Sequence, residues 1–228
     1  YYKQRIVPAE PEKIAATQNY RIGSEQIVLP TPGQKHVFVL GNAGGSVTLP
    51  TLVTLDEATE SAPATALDDF RRSVVVTRAG PKAPAAPFVM AGTTFIASAA
   101  NAHVPVCLAR TVTKISLRNP LPGEIVLSDV SVSGASASVY PFVKTISVDL
   151  PTADYTAAAD LAAGEEAGAF YLLPAAANQT AVTVKGTLSG SDFVCKTTLA
   201  STLYADYDYK LTLRNRGGEV TAWRWIRT

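Results

Sequence analysis

The chain has 228 residues, with 20 Lys+Arg against 19 Asp+Glu and a formal net charge of +1 at pH 7. So even a balance excludes a basic nucleic-acid binder, whose affinity rests on neutralising phosphates, and an acidic disordered tail. With 47% hydrophobic and only 17% charged residues, a chain of this length can bury its core without a disulfide or metal, as one large domain or two smaller ones.

The first residue is Tyr1, which suggests a chain trimmed from a longer precursor, and no basic stretch followed by an apolar core opens it. The first strong element is Lys35-His36-Val37-Phe38-Val39-Leu40, apolar on both faces and therefore expected inside a sheet covered on both sides. Gly41-Asn42-Ala43-Gly44-Gly45 reads as the turn that ends it. Thr65 to Arg72 has the composition of two helical turns. Ala79 to Ala86 is a Pro/Ala-rich loop, and the apolar window from Ala83 to Ala102 is broken by Pro and Gly, so it does not predict a membrane-spanning helix.

Val104 to Leu117 is the most informative stretch. Its apolar residues fall on even numbers from Val104 through Val112, then move to odd numbers at Ile115 and Leu117. A strand changes its buried face only through a bulge or a change of partner sheet. Two readings follow: a strand leaving one domain for the next, or a bulge in a continuous sheet. We take the first, with an N-terminal domain over residues 1–106 and a C-terminal domain over 107–228. Thr145 to Leu150 and Ala181 to Leu188 alternate as half-buried strands do, and Asp160 to Ala169 allows another one or two helical turns. Tyr207 to Arg214, the turn Arg216-Gly217-Gly218, and Glu219 to Ile226 read as a terminal hairpin. Short strands separated by Gly/Pro turns predict an all-β fold of sandwiches with few, short helices.

Catalytic patterns are missing from the sequence. His36 and His103 have no second ligand-type residue at metal spacing, and Gly41 to Gly45 is not followed by the Lys-Ser/Thr of a phosphate loop. Asp206-x-Asp208 offers half of a calcium site without the Gly and bidentate Glu that complete one. Cys107 and Cys195 lack CxxC spacing, which leaves open both a disulfide and two free thiols. The expectation is a protein that is not an enzyme, with no catalytic residue, cofactor or metal. Trp223 and Trp225 share one face of the last strand, with Val220 and Ile226 on the other. These four residues either cap the chain's own core or form a polymerisation strand that docks into another subunit by β-augmentation.

Five segments, in order, carry a family resemblance: Gln34 to Asn42, Pro87 to Gly92, Val106 to Leu117, Ala169 to Pro174, and Tyr209 to Leu213 with Trp223. Together they resemble the fimbrillin family of Bacteroidota, the major and minor subunits of type V pili, over nearly the whole chain from Ile27. The resemblance implies two tandem transthyretin-like Greek-key β-sandwiches, a precursor held to the outer membrane by a lipid anchor, and export to the cell-surface fimbria. It implies proteolysis after an Arg, loss of the first strand of the N-terminal domain, and filling of that groove by a neighbour's C-terminal strand. Arg5, followed by Ile6-Val7, is the candidate processing site. Either that cut removes the first strand of the N-terminal domain, or the chain begins after the cut and its N-terminal domain already lacks that strand. The expected function is a pilus subunit or a tip or accessory adhesin, with other pilin subunits and surface receptors as partners and no nucleic acid. The alternative is a monomeric surface sandwich that binds carbohydrate or another ligand through Tyr140, Tyr155 and Tyr204.

Overall fold

The computed structural model describes residues 2–3, 12–13, 20–21, 35–44, 46–50, 53–54, 67–78, 83–96, 105–146, 150–156, 161 and 163–223. In chain order the elements begin with β1 (Tyr2–Lys3), β2 (Glu12–Lys13), β3 (Tyr20–Arg21), β4 (Lys35–Gly41), β5 (Val47–Thr48) and β6 (Val53–Thr54). Helix α1 (Leu67–Ser73) follows, then β7 (Val75–Thr77), β8 (Met90–Ile96), β9 (Ala109–Arg110), β10 (Thr113–Arg118) and β11 (Ile125–Ser136). The chain continues through β12 (Ser138–Val139), β13 (Thr152–Thr156), β14 (Glu166–Leu172), β15 (Ala181–Leu188), β16 (Ser191–Thr198), β17 (Asp208–Arg216) and β18 (Glu219–Trp223). The fold is an all-β sandwich with one helix among the described residues.

Two four-stranded sheets, ordered β14-β10-β17-β18 and β13-β11-β15-β16, carry the larger core. Alternate residues of each strand meet in it. Ile115, Leu117, Phe170, Leu172, Leu211 and Leu213 come from the first sheet, and Ile125, Val130, Val132, Val182 and Val184 from the second. The expected alternation of Ala181 to Leu188 is present as β15, with Val182, Val184 and Leu188 buried. Gly186 lies where β11 approaches closely, since a Cβ there would stand 2.1 Å from the Val126 carbonyl oxygen.

A second pair of sheets, β4-β8-β9 and β12-β7-β5, encloses a smaller core of Phe70, Val74, Ala91 and Phe142, with Phe38, Leu40 and Val47 packed against it. The ring of Phe38 lies 4.8 Å from that of Phe70 and 4.9 Å from that of Phe142. Helix α1 delivers Phe70; its first turn carries Asp68 and Asp69 and its last Arg71 and Arg72, the arrangement that complements the helix dipole. The β1–β6 pair is parallel and the β2–β3 pair antiparallel.

The change of face between Val112 and Ile115 has a direct structural counterpart. Ala109 and Arg110 pair with β8, the chain bends at Thr111 and Val112, and Thr113 to Arg118 then joins β14 and β17 in another sheet. The return path crosses back: Ser138 and Val139 pair with β7, and Phe142 enters the smaller core.

Three local expectations are corrected. The helical turns expected within Asp160 to Ala169 give way to β14 from Glu166 onward, because pairing with β10 buries Ala167, Phe170 and Leu172. A bulge at Gly168 (φ 139°) absorbs the register shift opposite Leu117 and Arg118. Thr145 and Ile146 are not in a strand, residues 147–149 lie outside the described residues, and the strand begins instead at Thr152. Strand β4, expected at the centre of a covered sheet, pairs only with β8 among the described residues, and none of its seven residues is buried.

Candidate functional site: terminal hairpin and open edge

Two features bear on association: the C-terminal hairpin and the edge of β4. The hairpin forms because Gly217 (φ 61°) and Gly218 (φ 93°) both take the left-handed region that a tight two-residue turn needs. Strands β17 and β18 pair in register from Thr212↔Trp223 to Arg216↔Glu219. On the other side of β17 lies β10, in parallel register. There Lys114 Nζ donates to Asp208 Oδ2 at 3.1 Å and Ser116 Oγ to Asp208 Oδ1 at 2.8 Å. Both oxygens of Asp208 are thus engaged by protein groups, while Asp206 Oδ1 lies 3.9 Å from Arg110 Nε. Asp206 and Asp208 each face a separate cation, and no metal-binding cluster of His, Cys, Asp or Glu occurs among the described residues.

Strand β18 is the edge of its sheet and packs beside β16, the edge of the facing sheet. Val220 is 8% exposed and belongs to the larger core, so one of the four residues assigned to polymerisation is held in the chain's own sandwich. Trp223 has its backbone in β18; the placement of its side chain, Trp225, Ile226 and Arg5 lies outside the described residues. Cys195, on β16, faces this seam. Burial pushes its thiol above the usual range, and a hydrogen bond with the Ala222 backbone partly offsets the effect. Cys195 is buried, Cys107 is exposed, and both are free thiols.

The β4 edge is the second feature. Val37, Phe38, Val39 and Leu40 are each only partly buried, and His36 is exposed with its ring 5.1 Å from that of Phe95. A seven-residue, largely apolar strand with one neighbour among the described residues offers a row of backbone donors and acceptors to an added strand. Composition alone suggested a central strand there, and the sheet order gives it one partner among the described residues.

Of the three tyrosines considered for a ligand, Tyr140 and Tyr204 line one cavity together with Tyr207, which sequence reasoning passed over. The side chain of Tyr155 lies outside the described residues. Among the described residues no helix is long and apolar enough to cross a membrane.

No protein-family model matches the sequence, and no curated protein matches it. Solved structures do resemble it. A fimbrial assembly protein from Parabacteroides distasonis superposes with a TM-score of 0.57 at 14% identity, over 96% of this chain and 78% of that one. A protein assigned to cell adhesion from Bacteroides uniformis gives 0.54 at 12% identity, over 93% and 80%. Another so assigned, from Parabacteroides distasonis, gives 0.54 at 12% identity, over 95% and 80%. The likeness at such identities is one of fold, and it agrees with the resemblance to Bacteroidota fimbrial proteins carried by the sequence motifs: this chain has the all-β architecture of fimbrial and cell-adhesion proteins of that group.

Proposed function

We propose that the chain is a structural subunit or accessory adhesin of a bacterial surface fimbria, and that it assembles with other subunits by strand exchange. It works without catalysis or cofactor, outside the cell. The observation that carries this reading is β4, a largely apolar strand with one partner among the described residues and no buried residue, in a fold shared with a fimbrial assembly protein. Such an edge is an aggregation hazard unless a specific strand covers it. The division into an N-terminal and a C-terminal sandwich fits two separate cores, with the chain changing sheets at residues 111–112.

The burial of Val220 refines the donor strand. Val220 anchors β18 at home, and the residues offered to a neighbour are Trp223, Trp225 and Ile226. Burial of Ile226 contributes about 1.5–3 kcal/mol and each Trp somewhat more. Cleavage after Arg5 would release residues 1–5 and with them β1, leaving its place beside β6 to a neighbour's strand in addition to the edge of β4.

The test compares the full chain with one ending at residue 223, each treated with a trypsin-like protease and followed by analytical ultracentrifugation and negative-stain microscopy. Cleavage after Arg5 should be followed by polymers of the full chain, while the shortened chain stays monomeric and folded. Polymers of the shortened chain, or a full chain that remains monomeric after the cut, would overturn the reading.

A further inference from the structure

We infer that the cavity lined by Tyr140, Tyr204 and Tyr207 binds a single sugar ring bearing a carboxylate, of the uronic or sialic acid class. Three parts of the chain converge there. Ala91 and Ala109 to Thr111 come from the β8–β9 side, Val139 to Pro141 and Val143 to Ile146 from the crossing segment, and Pro174 with Tyr204, Ala205 and Tyr207 from the loops before β15 and β17. The volume is about 270 Å³, just under the ~300–1,000 Å³ range of drug-sized sites, which suits one ring rather than an extended oligosaccharide.

The chemistry of the lining selects the ligand. Tyr204 is 43% exposed, and its ring meets that of Tyr207 edge to face at 6.4 Å. Tyrosine offers an apolar face for the C–H side of a pyranose and a hydroxyl for its polar rim. Arg110 and Lys144 supply positive charge, and among the described residues no acidic side chain lines the cavity. Arg110 reaches Asp206 only at 3.9 Å, with both side chains well exposed. A pair so long and wet contributes little, which leaves the guanidinium available to a ligand carboxylate, its natural bidentate partner.

The loop that presents the tyrosines is held before any ligand arrives. Tyr209, buried in the core, accepts from the Tyr204 N–H and donates to the Thr202 carbonyl, each at 3.0 Å. Leu203 and Ala175 exchange backbone hydrogen bonds at 2.9 and 3.2 Å, and the Asp206 N–H donates to Val112 at 2.8 Å. The carbonyl of Tyr207 accepts from the Lys114 N–H at 2.9 Å and from the Thr113 hydroxyl at 3.2 Å. Asp206 is kept in the left-handed region (φ 63°). Asp tolerates that conformation in turns better than most residues, so the chain reverses there at little cost. The N–H groups of Tyr204 and Asp206 are thus turned to the protein. A phosphate nest built from those amides is absent, which favours recognition by rings and cationic side chains.

The full chain is titrated separately with glucuronic acid, N-acetylneuraminic acid, methyl glucoside and benzoate, read by saturation-transfer NMR and amide shifts. One or both acidic sugars should bind at least about tenfold more tightly than methyl glucoside, and the two acid arms separate the uronic from the sialic class. Tyr204→Ala and Arg110→Gln, both at exposed positions, should each weaken binding about tenfold with the melting temperature unchanged. A variant that melts early is replaced by Lys144→Gln, which should weaken the acidic sugar and spare methyl glucoside. The proposal fails if neither acid shows saturation transfer, if methyl glucoside binds equally, if benzoate binds more tightly, or if Tyr204→Ala and Arg110→Gln, both folded, leave affinity unchanged. None of these readouts depends on polymerisation.

Discussion

Single atoms decide the behaviour of several residues here. The Tyr209 hydroxyl joins two backbone groups, at Thr202 and Tyr204, that have to turn sharply before β17. Tyr209→Phe leaves the Thr202 carbonyl without this donor and should cost about 1–3 kcal/mol in urea denaturation. Gly186 has no room for a methyl group against Val126; Gly186→Ala should cost at least about 1–3 kcal/mol by the same measurement, through displacement of β11. Cys195 gives a pH signature. Because burial raises its folded-state pKa, the unfolded thiol ionises first. The contribution is therefore whole below the unfolded value of about 8.5 and is lost as pH rises above it. Stability of the wild type should fall over that alkaline window more than that of Cys195→Ala. With a thiol reagent at neutral pH, the exposed Cys107 should react at once and Cys195 only on unfolding.

At the scale of elements, pairing overrules local preference. Asp160 to Ala169 is rich in alanine and acids, a helix-forming composition, yet Glu166 onward extends as β14. Among the described residues β14 pairs with β10 alone, whose Ile115 and Leu117 face the same core as Phe170 and Leu172. That burial outweighs the few tenths of a kcal/mol per residue at stake in helix propensity. Strand β18 shows the same logic. Val220→Ala should destabilise the sandwich by about 1–2 kcal/mol, whereas removal of residues 224–228 should leave the unfolding midpoint close to wild type. An equal loss in both variants would mean that Trp225 and Ile226 belong to the chain's own core.

Over the whole molecule, two cores are linked by a chain that crosses between them. Members of the larger core run from Ile115 to Val220 in sequence, while the smaller one borrows Phe142 from the C-terminal half. A fragment starting at residue 107 should therefore unfold cooperatively, since every buried member of the larger core lies within it, but should bind a hydrophobic dye through Phe142 and Val139, stripped of their N-terminal neighbours. Phe142→Ser in the fragment should reduce that binding, and in the full chain it should lower stability by about 3 kcal/mol or more.

The near-neutral, weakly charged composition and the period-two pattern determined by themselves that this is a β protein whose cohesion is apolar. Strand β15, the terminal hairpin and the break near Val112 were legible for the same reason: alternation reports which face is buried, and paired glycines report a tight turn. Sheet order was not legible, because alternation says nothing about which strand lies alongside. Only the tertiary structure decided that β4 pairs with β8 alone among the described residues, that Val220 is committed to its own core, and that Tyr140 meets Tyr204 and Tyr207 around one cavity. These are contacts between residues far apart in the chain, and they exist only once the sheets have closed on one another.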